Sequence, residues 1–272
     1  MSSFTMSSFM PLLLELIVKM TATAAVVVAA SVVAERSGPF IGAMVAALPT
    51  AAGAAYVILA IEHPPSFIAA SAIGSIAANA AVVIFAFTYA VLAQRRSLIA
   101  SLGGALVVWL ACAALLRTVD WTVPSVLVLS VVVFGVVIPA NARYRIDSNV
   151  KVKSGATDIA WRALAVSVCV VVVTAASHSI GSFASGIFAL FPVVISSVLV
   201  IIQLRLGGPA AASVAAHVGE PLIGLSLGFL AVHYLAEPAG VWWAFAAGVA
   251  VCFAWSGVLW LLRQRKRVSR TA

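Results

Sequence analysis

Ionisable side chains are scarce in this sequence, so the few inside long apolar runs define the chemistry it can offer. In "AHVGEPLIG", His217 and Glu220 stand three positions apart, on one face of a helix, and Pro221 follows the acid about halfway along an apolar span. A charged carboxyl at that depth costs several kcal/mol unless it is paired, which suits the group to taking up and releasing a proton. The same residues can instead serve as an inter-helical hydrogen bond that holds a bundle together. In the first half of the chain the matching stretch is "GSIAAN", where Ser75 and Asn79 are uncharged polar counterparts. The two halves are unlike at this point, which fits coupling to a proton better than a symmetric pore.

Two further pairs are charged. Glu15 and Lys19 in "ELIVK", and Asp158 and Arg162 in "DIAWR", each place an acid four residues before a base, the favoured order for an intrahelical pair. Pairing lowers the cost of charge near the membrane, and such pairs could gate two opposite mouths. The alternative is snorkelling at span ends. His63 beside Glu62, His178, and His233 with Glu237 also fall at span ends, where imidazole and carboxylate could bind zinc or sense pH. No spacing among them resembles a ligand box, so no metal site is expected. Only His217 is deep, which leaves a haem without two facing axial ligands, and no cofactor is expected. No phosphate loop, nucleophile elbow or cysteine pair points to an enzyme.

The elements that must position these residues are membrane spans. Of 272 residues, 64% are hydrophobic and 9% charged, and the mean hydropathy is +1.17. This composition predicts an all-α polytopic membrane protein, because a soluble domain is roughly one-quarter charged. About nine runs reach the ~20 residues needed to cross the hydrocarbon layer: 11–33, 39–61, 66–93, 98–116, 122–140, 157–177, 182–204, 209–233 and 239–262. The opening run lacks a positive flank and is interrupted by Glu15 and Lys19, so it does not read as a cleaved signal peptide. Cys112, Cys169 and Cys252 lie within spans and behave as small apolar residues.

The net charge of +8 follows topology. Arg95, Arg96, Arg143, Arg145, Lys151, Lys153, Arg205 and the basic C-terminal tail follow odd-numbered spans, whereas the loops after even spans carry only Arg117. The positive-inside rule then predicts a bacterial inner-membrane protein with its N-terminus outside and its C-terminus in the cytoplasm. No nucleic-acid partner is expected.

The sequence also repeats itself. "GPFIGAMVAALPT", from Gly38 to Thr50, matches "GSFASGIFALFPV", from Gly181 to Val193, at an offset of 143 that aligns Gly38 with Gly181, Phe40 with Phe183 and Pro49 with Pro192. The same offset aligns Glu15 with Asp158 and Lys19 with Arg162. The predicted plan is a four-span repeat over 11–116, a linker span and cytoplasmic loop over 117–156, a second repeat over 157–262, and a basic tail over 263–272. An odd number of spans separates equivalent positions, so the second repeat enters the membrane inverted. The fluoride-channel family resembles this plan where two oppositely oriented four-span units are fused through a linker span. The Gly-to-Pro frame, about ten residues in each repeat, resembles the central motif of GlpM-like small bacterial inner-membrane proteins. That resemblance implies a fold class, here in duplicated form, and no substrate.

Pro49 and Pro192 fall in the middle of spans two and seven, where each removes a backbone hydrogen bond and frees a carbonyl one turn earlier, near Val45 and Phe188. Backbone opened at membrane depth must be covered by protein or line a cavity. Gly38 and Gly181 would let the chain bend at the helix entrances. The expectation is a cavity framed by Pro49, Pro192, Gly38 and Gly181, polar side chains from Ser75 and Asn79, and a proton on Glu220 and His217. A plain proline kink is the simpler alternative. The function this predicts is a proton-coupled secondary transporter of a small solute, with a channel, a lipid translocator or an accessory subunit as alternatives. Its partners are the bilayer and the solute, and a homo-oligomer is compatible with this plan.

Overall fold

The computed structural model describes residues 50–146 and 155–271, together with Thr21. Among these residues every regular element is helical: α1 Thr50–Glu62, α2 Pro65–Leu92, α3 Leu98–Leu116, α4 Val123–Asn141 with a 3-10 turn Ala142–Tyr144, α5 Ala156–Ala189, α6 Val193–Leu206, α7 Gly208–His217, α8 Gly219–Leu235 and α9 Val241–Thr271. Six helical stretches in the described residues are long and apolar enough to span a membrane. The shorter α1 is apolar over Ala52–Glu62.

Local chemistry sets the boundaries. Pro65 occupies the first turn of α2, where its missing N–H costs nothing. Ser97 caps α3 by accepting from the Ala100 N–H, and at the start of α4 the Thr122 N–H donates to Ser125 Oγ at 2.9 Å. Gly207 and Gly240, with φ of 89° and 87°, turn the chain from α6 into α7 and from α8 into α9.

Two long stretches form the centre. Pro65–Leu92 is 78% buried and Gly208–Leu235 is 72% buried over their most apolar windows, against 22% for Leu98–Leu116 and 17% for Val241–Leu262. The outer helices turn large apolar side chains outward, among them Ile99, Val131 and Trp243, as contact with lipid requires. The central helices approach closely because their contacts are small residues. A Cβ on Gly208 would overlap the carbonyl oxygen of Ala93, and one on Gly248 would press on the backbone of Gly228.

One expected boundary differs. Runs 157–177 and 182–204 were separate spans in the sequence, whereas α5 continues through Ala189 with only Gly181 (φ 80°, ψ 171°) departing from helical geometry. Arg205 of α6 is nevertheless paired with Asp158 near the start of α5. A straight rod over Ala163–Leu206 would extend about 66 Å, so the pairing requires the chain to double back at Gly181. The expected span 182–204 is then cut by Leu190–Pro192, and the expected span 209–233 is divided between α7 and α8.

The element starts keep a constant register. Helices α1, α2 and α3 begin at Thr50, Pro65 and Leu98, and α6, α7 and α9 begin at Val193, Gly208 and Val241, each 143 residues later. At the contact between the two central stretches, the Asn79 side-chain amide donates to the carbonyl of Leu222, its counterpart at that same separation of 143.

Candidate functional site

Pro192 has no N–H to return to Phe188, and its ring crowds that carbonyl. The backbone responds by tightening and then restarting. Leu190 N–H bonds Ile187 O at 3.1 Å, Phe191 N–H bonds Phe188 O at 3.0 Å, Val193 N–H turns back to Phe191 O at 2.7 Å, and the ladder resumes with Ser196 N–H on Pro192 O at 2.9 Å. Between this break and Gly181 lies a short helical rod, 182–189.

The rod is pressed onto α2, backbone against backbone. A Cβ on Gly74 would collide with the carbonyl of Phe183, and one on Gly186 would collide with the carbonyl of Ser71. Ser75 Oγ donates to Gly186 O at 2.8 Å and lies 2.7 Å from the Tyr56 hydroxyl. Buried Trp109 of α3 packs against the break, its ring 5.1 Å from Phe191 edge-on and 6.3 Å from Phe188.

A cavity of about 1100 Å³ opens between α5 and α6 and reaches this break. Its wall is apolar over most of its length, from Trp161 and Val168 to Phe188 and Phe191, with Ser196 and Ser197 partway along and the Asp158–Arg205 pair at one end. Ser196 Oγ is buried and has no hydrogen-bond partner among the described residues.

The second interruption falls between His217 and Gly219, one turn before Pro221, for the same steric reason. Here Glu220 is paired: Arg145 Nη1 lies 2.5 Å from its Oε1, and Arg145 Nε donates to Ala216 O at 3.2 Å. The chain after α4 is brought in alongside α7, with Ile146 N–H donating to Ser213 Oγ at 2.9 Å. Trp255 Nε1 donates to the Glu220 carbonyl at 2.9 Å from the α9 side. His217 donates from Nδ1 to Ser213 O at 2.7 Å. Asn79 donates to Leu222 O and to Ser226 Oγ, while its Oδ1 is buried without a partner among the described residues.

The expected site residues therefore fall into two groups joined by α2. Ser75 touches the broken rod near Gly181 and Pro192. Asn79, one turn further on, touches α8 near Glu220 and His217. These last three lie along the seam of α2, α7 and α8 and do not line the 1100 Å³ cavity, whose charged end is Asp158 with Arg205. Glu15, Lys19, Gly38 and Pro49 lie outside the described residues, as does the side chain of Arg162. Arg145 and Arg205 are the partners that sequence reasoning missed, having read them only as topological charge. Both sit just beyond span ends, at the positions from which a long side chain reaches back.

A third cluster joins the α1–α2 corner to α5. Glu62, His63 and His178 each present a ligand atom within 4.8 Å of the others. His63 Nε2 lies 2.7 Å from Ser177 Oγ, and its ring stacks on Phe67 at 3.8 Å and lies 4.4 Å from His178. Burial, helped by His178 and opposed by Glu62, holds the His63 imidazole below the usual histidine range, so its neutral form is favoured. The expectation of no metal site rested on spacing along the chain, and here the fold supplies the proximity. His233 is engaged elsewhere, with Nδ1 donating to Ala69 O at 2.8 Å.

No family model, curated protein or solved structure matches this chain.

Proposed function

We propose that this protein is a secondary transporter of a small solute, built as two inverted four-span repeats around a linker span in the bacterial inner membrane. The observation that carries the reading is the helix interrupted at Leu190–Pro192 and held by backbone contact against the most buried helix, α2. Interrupted helices inside a membrane bundle provide backbone groups for a solute and joints about which halves can rock. The constant register of element starts and the matched burial of the two central stretches support the duplication. Nine spans follow when Ala163–Leu206 is read as two passes reversing at Gly181, the run 39–49 extends α1 into a full span and the run 11–33 supplies one more.

The coupling element is the Arg145–Glu220 pair. A proton taken up by Glu220 removes the charge that holds Arg145 Nη1 and loosens the segment after α4 from the start of α8, while Arg145 Nε on Ala216 O and Ile146 on Ser213 keep it against α7. The test is flux of a solute panel in proteoliposomes under an imposed proton gradient. A gradient-driven flux that Glu220→Gln uncouples from pH is the expected result, and a flux indifferent to both gradient and variant would remove proton coupling.

A second reading is favoured by the cavity between α5 and α6, whose apolar wall ends in an ion pair, the shape and polarity of an amphiphile. A lipid translocator would equilibrate a fluorescent phospholipid between leaflets in the same vesicles, with no solute flux.

A further inference from the structure

We propose that Glu62, His63 and His178 form a binding site for a divalent transition-metal ion of the zinc class, which ties the α1–α2 corner to α5 just before its break at Gly181. The site lies apart from the Arg145–Glu220 pair and does not depend on the transporter reading.

Two imidazoles and one carboxylate are a donor set for zinc, cobalt or nickel rather than for calcium or magnesium, which take oxygen ligands. The donor atoms lie within 4.8 Å of one another. Ligands about 2.0–2.2 Å from a tetrahedral ion stand roughly 3.3 Å apart, so capture requires a contraction of about an ångström or more. Glu62 and the exposed His178 can supply it by side-chain rotation. His63 is already oriented: Ser177 engages Nε2 and Phe67 stacks on the ring, which leaves Nδ1 for the ion. A ligating histidine is commonly held in this way, by a hydrogen bond on its other nitrogen and a fixed ring plane. Three protein ligands leave a fourth position for water or a solute group. His217 and His233 hydrogen-bond to the carbonyls of Ser213 and Ala69, outside this cluster.

The placement gives the ion a mechanical role. Glu62 and His63 end α1 and lead into α2, whereas His178 lies three residues before Gly181, where the chain departs from helical geometry. An ion bridging them fixes the start of the rod that packs on α2.

The experiment uses full-length protein without an affinity tag, stripped with chelator in detergent and titrated with Zn2+ by calorimetry, with Co2+ absorption as a second probe. Expected are one ion per chain and the visible bands of tetrahedral cobalt. His178→Ala and His63→Ala should each weaken binding at least tenfold, Ser177→Ala should weaken it about tenfold, and His233→Ala should leave it unchanged. Because His178 is exposed, its variant keeps the fold and decides the matter alone. Stripped wild type that takes up no stoichiometric ion, or His178→Ala that titrates as wild type does, overturns the proposal.

Discussion

Arg145 shows how a single side chain changes meaning between sequence and structure. By position it is one of several basic residues after an odd span, and the positive-inside rule accounts for it fully. In the fold its guanidinium spans from the Ala216 carbonyl to the Glu220 carboxylate, while Nη2 is buried without a partner among the described residues. Glu220 was legible as a costly acid needing a partner, but that partner lies 75 residues away, and the chain's spacing holds no such information. The side chains of the pair are 20% and 23% exposed, so its worth lies between that of a surface bridge and that of a fully buried one. Arg145→Ala or Glu220→Ala alone should cost about 1–3 kcal/mol, because each leaves the other charge poorly solvated. The double variant should cost less than the sum of the two singles. Thermal unfolding in detergent across the double-mutant cycle checks this, and additive losses would mean that the two residues do not act as a pair.

At the scale of elements, the two prolines and the paired glycines announced broken helices, and Pro192 does interrupt the helical ladder. What could not be read was which helices form the centre. A membrane span is apolar on every side, so hydropathy carries no inward stripe, and the only trace is the Ala, Gly and Ser content of α2 and α7. That trace becomes a quantitative expectation at the crossing of α2 with the rod. Gly74→Ala and Gly186→Ala each place a methyl group against carbonyl backbone that cannot rotate away, and each should destabilise by about 1–3 kcal/mol. Gly181→Ala should cost about as much for a different reason, since φ of 80° with ψ of 171° is a region that only glycine populates readily. Gly103→Ala in α3, where a Cβ meets nothing within 4 Å, should be neutral or stabilising by up to about 1 kcal/mol. Unfolding midpoints of the four variants should rank with Gly103→Ala highest. A Gly186→Ala midpoint equal to that of Gly103→Ala would mean that the rod does not pack on α2 as described.

For the whole molecule, the informative contacts join helix ends. Asp158 meets Arg205, the backbone of Ala93 meets Gly208, and Ile146 meets Ser213. At the opposite ends His63 meets His178 and Ser177, and His233 meets Ala69. If nine spans alternate from an external N-terminus, the first three contacts fall on the cytoplasmic side and the last two outside, and none of these five joins ends assigned to opposite sides. The offset of 143 written along the chain recurs in the element starts, whereas the loop charges are the sole basis for the sidedness. The doubling back at Gly181 was legible only as a gap between apolar runs. If the repeats are inverted, the turn after α2 and its counterpart after α8 must open on opposite faces of the membrane. Arg95 belongs to the first and Ala239 to the second, both beyond their helix ends. In a variant whose Cys112, Cys169 and Cys252 are replaced by alanine, Arg95→Cys should be shielded from an impermeant maleimide in intact cells with a permeabilised outer membrane and should react after lysis. Ala239→Cys should react in the intact cells. Equal labelling of both positions before lysis would place the two turns on one face and require a parallel repeat in place of an inverted one.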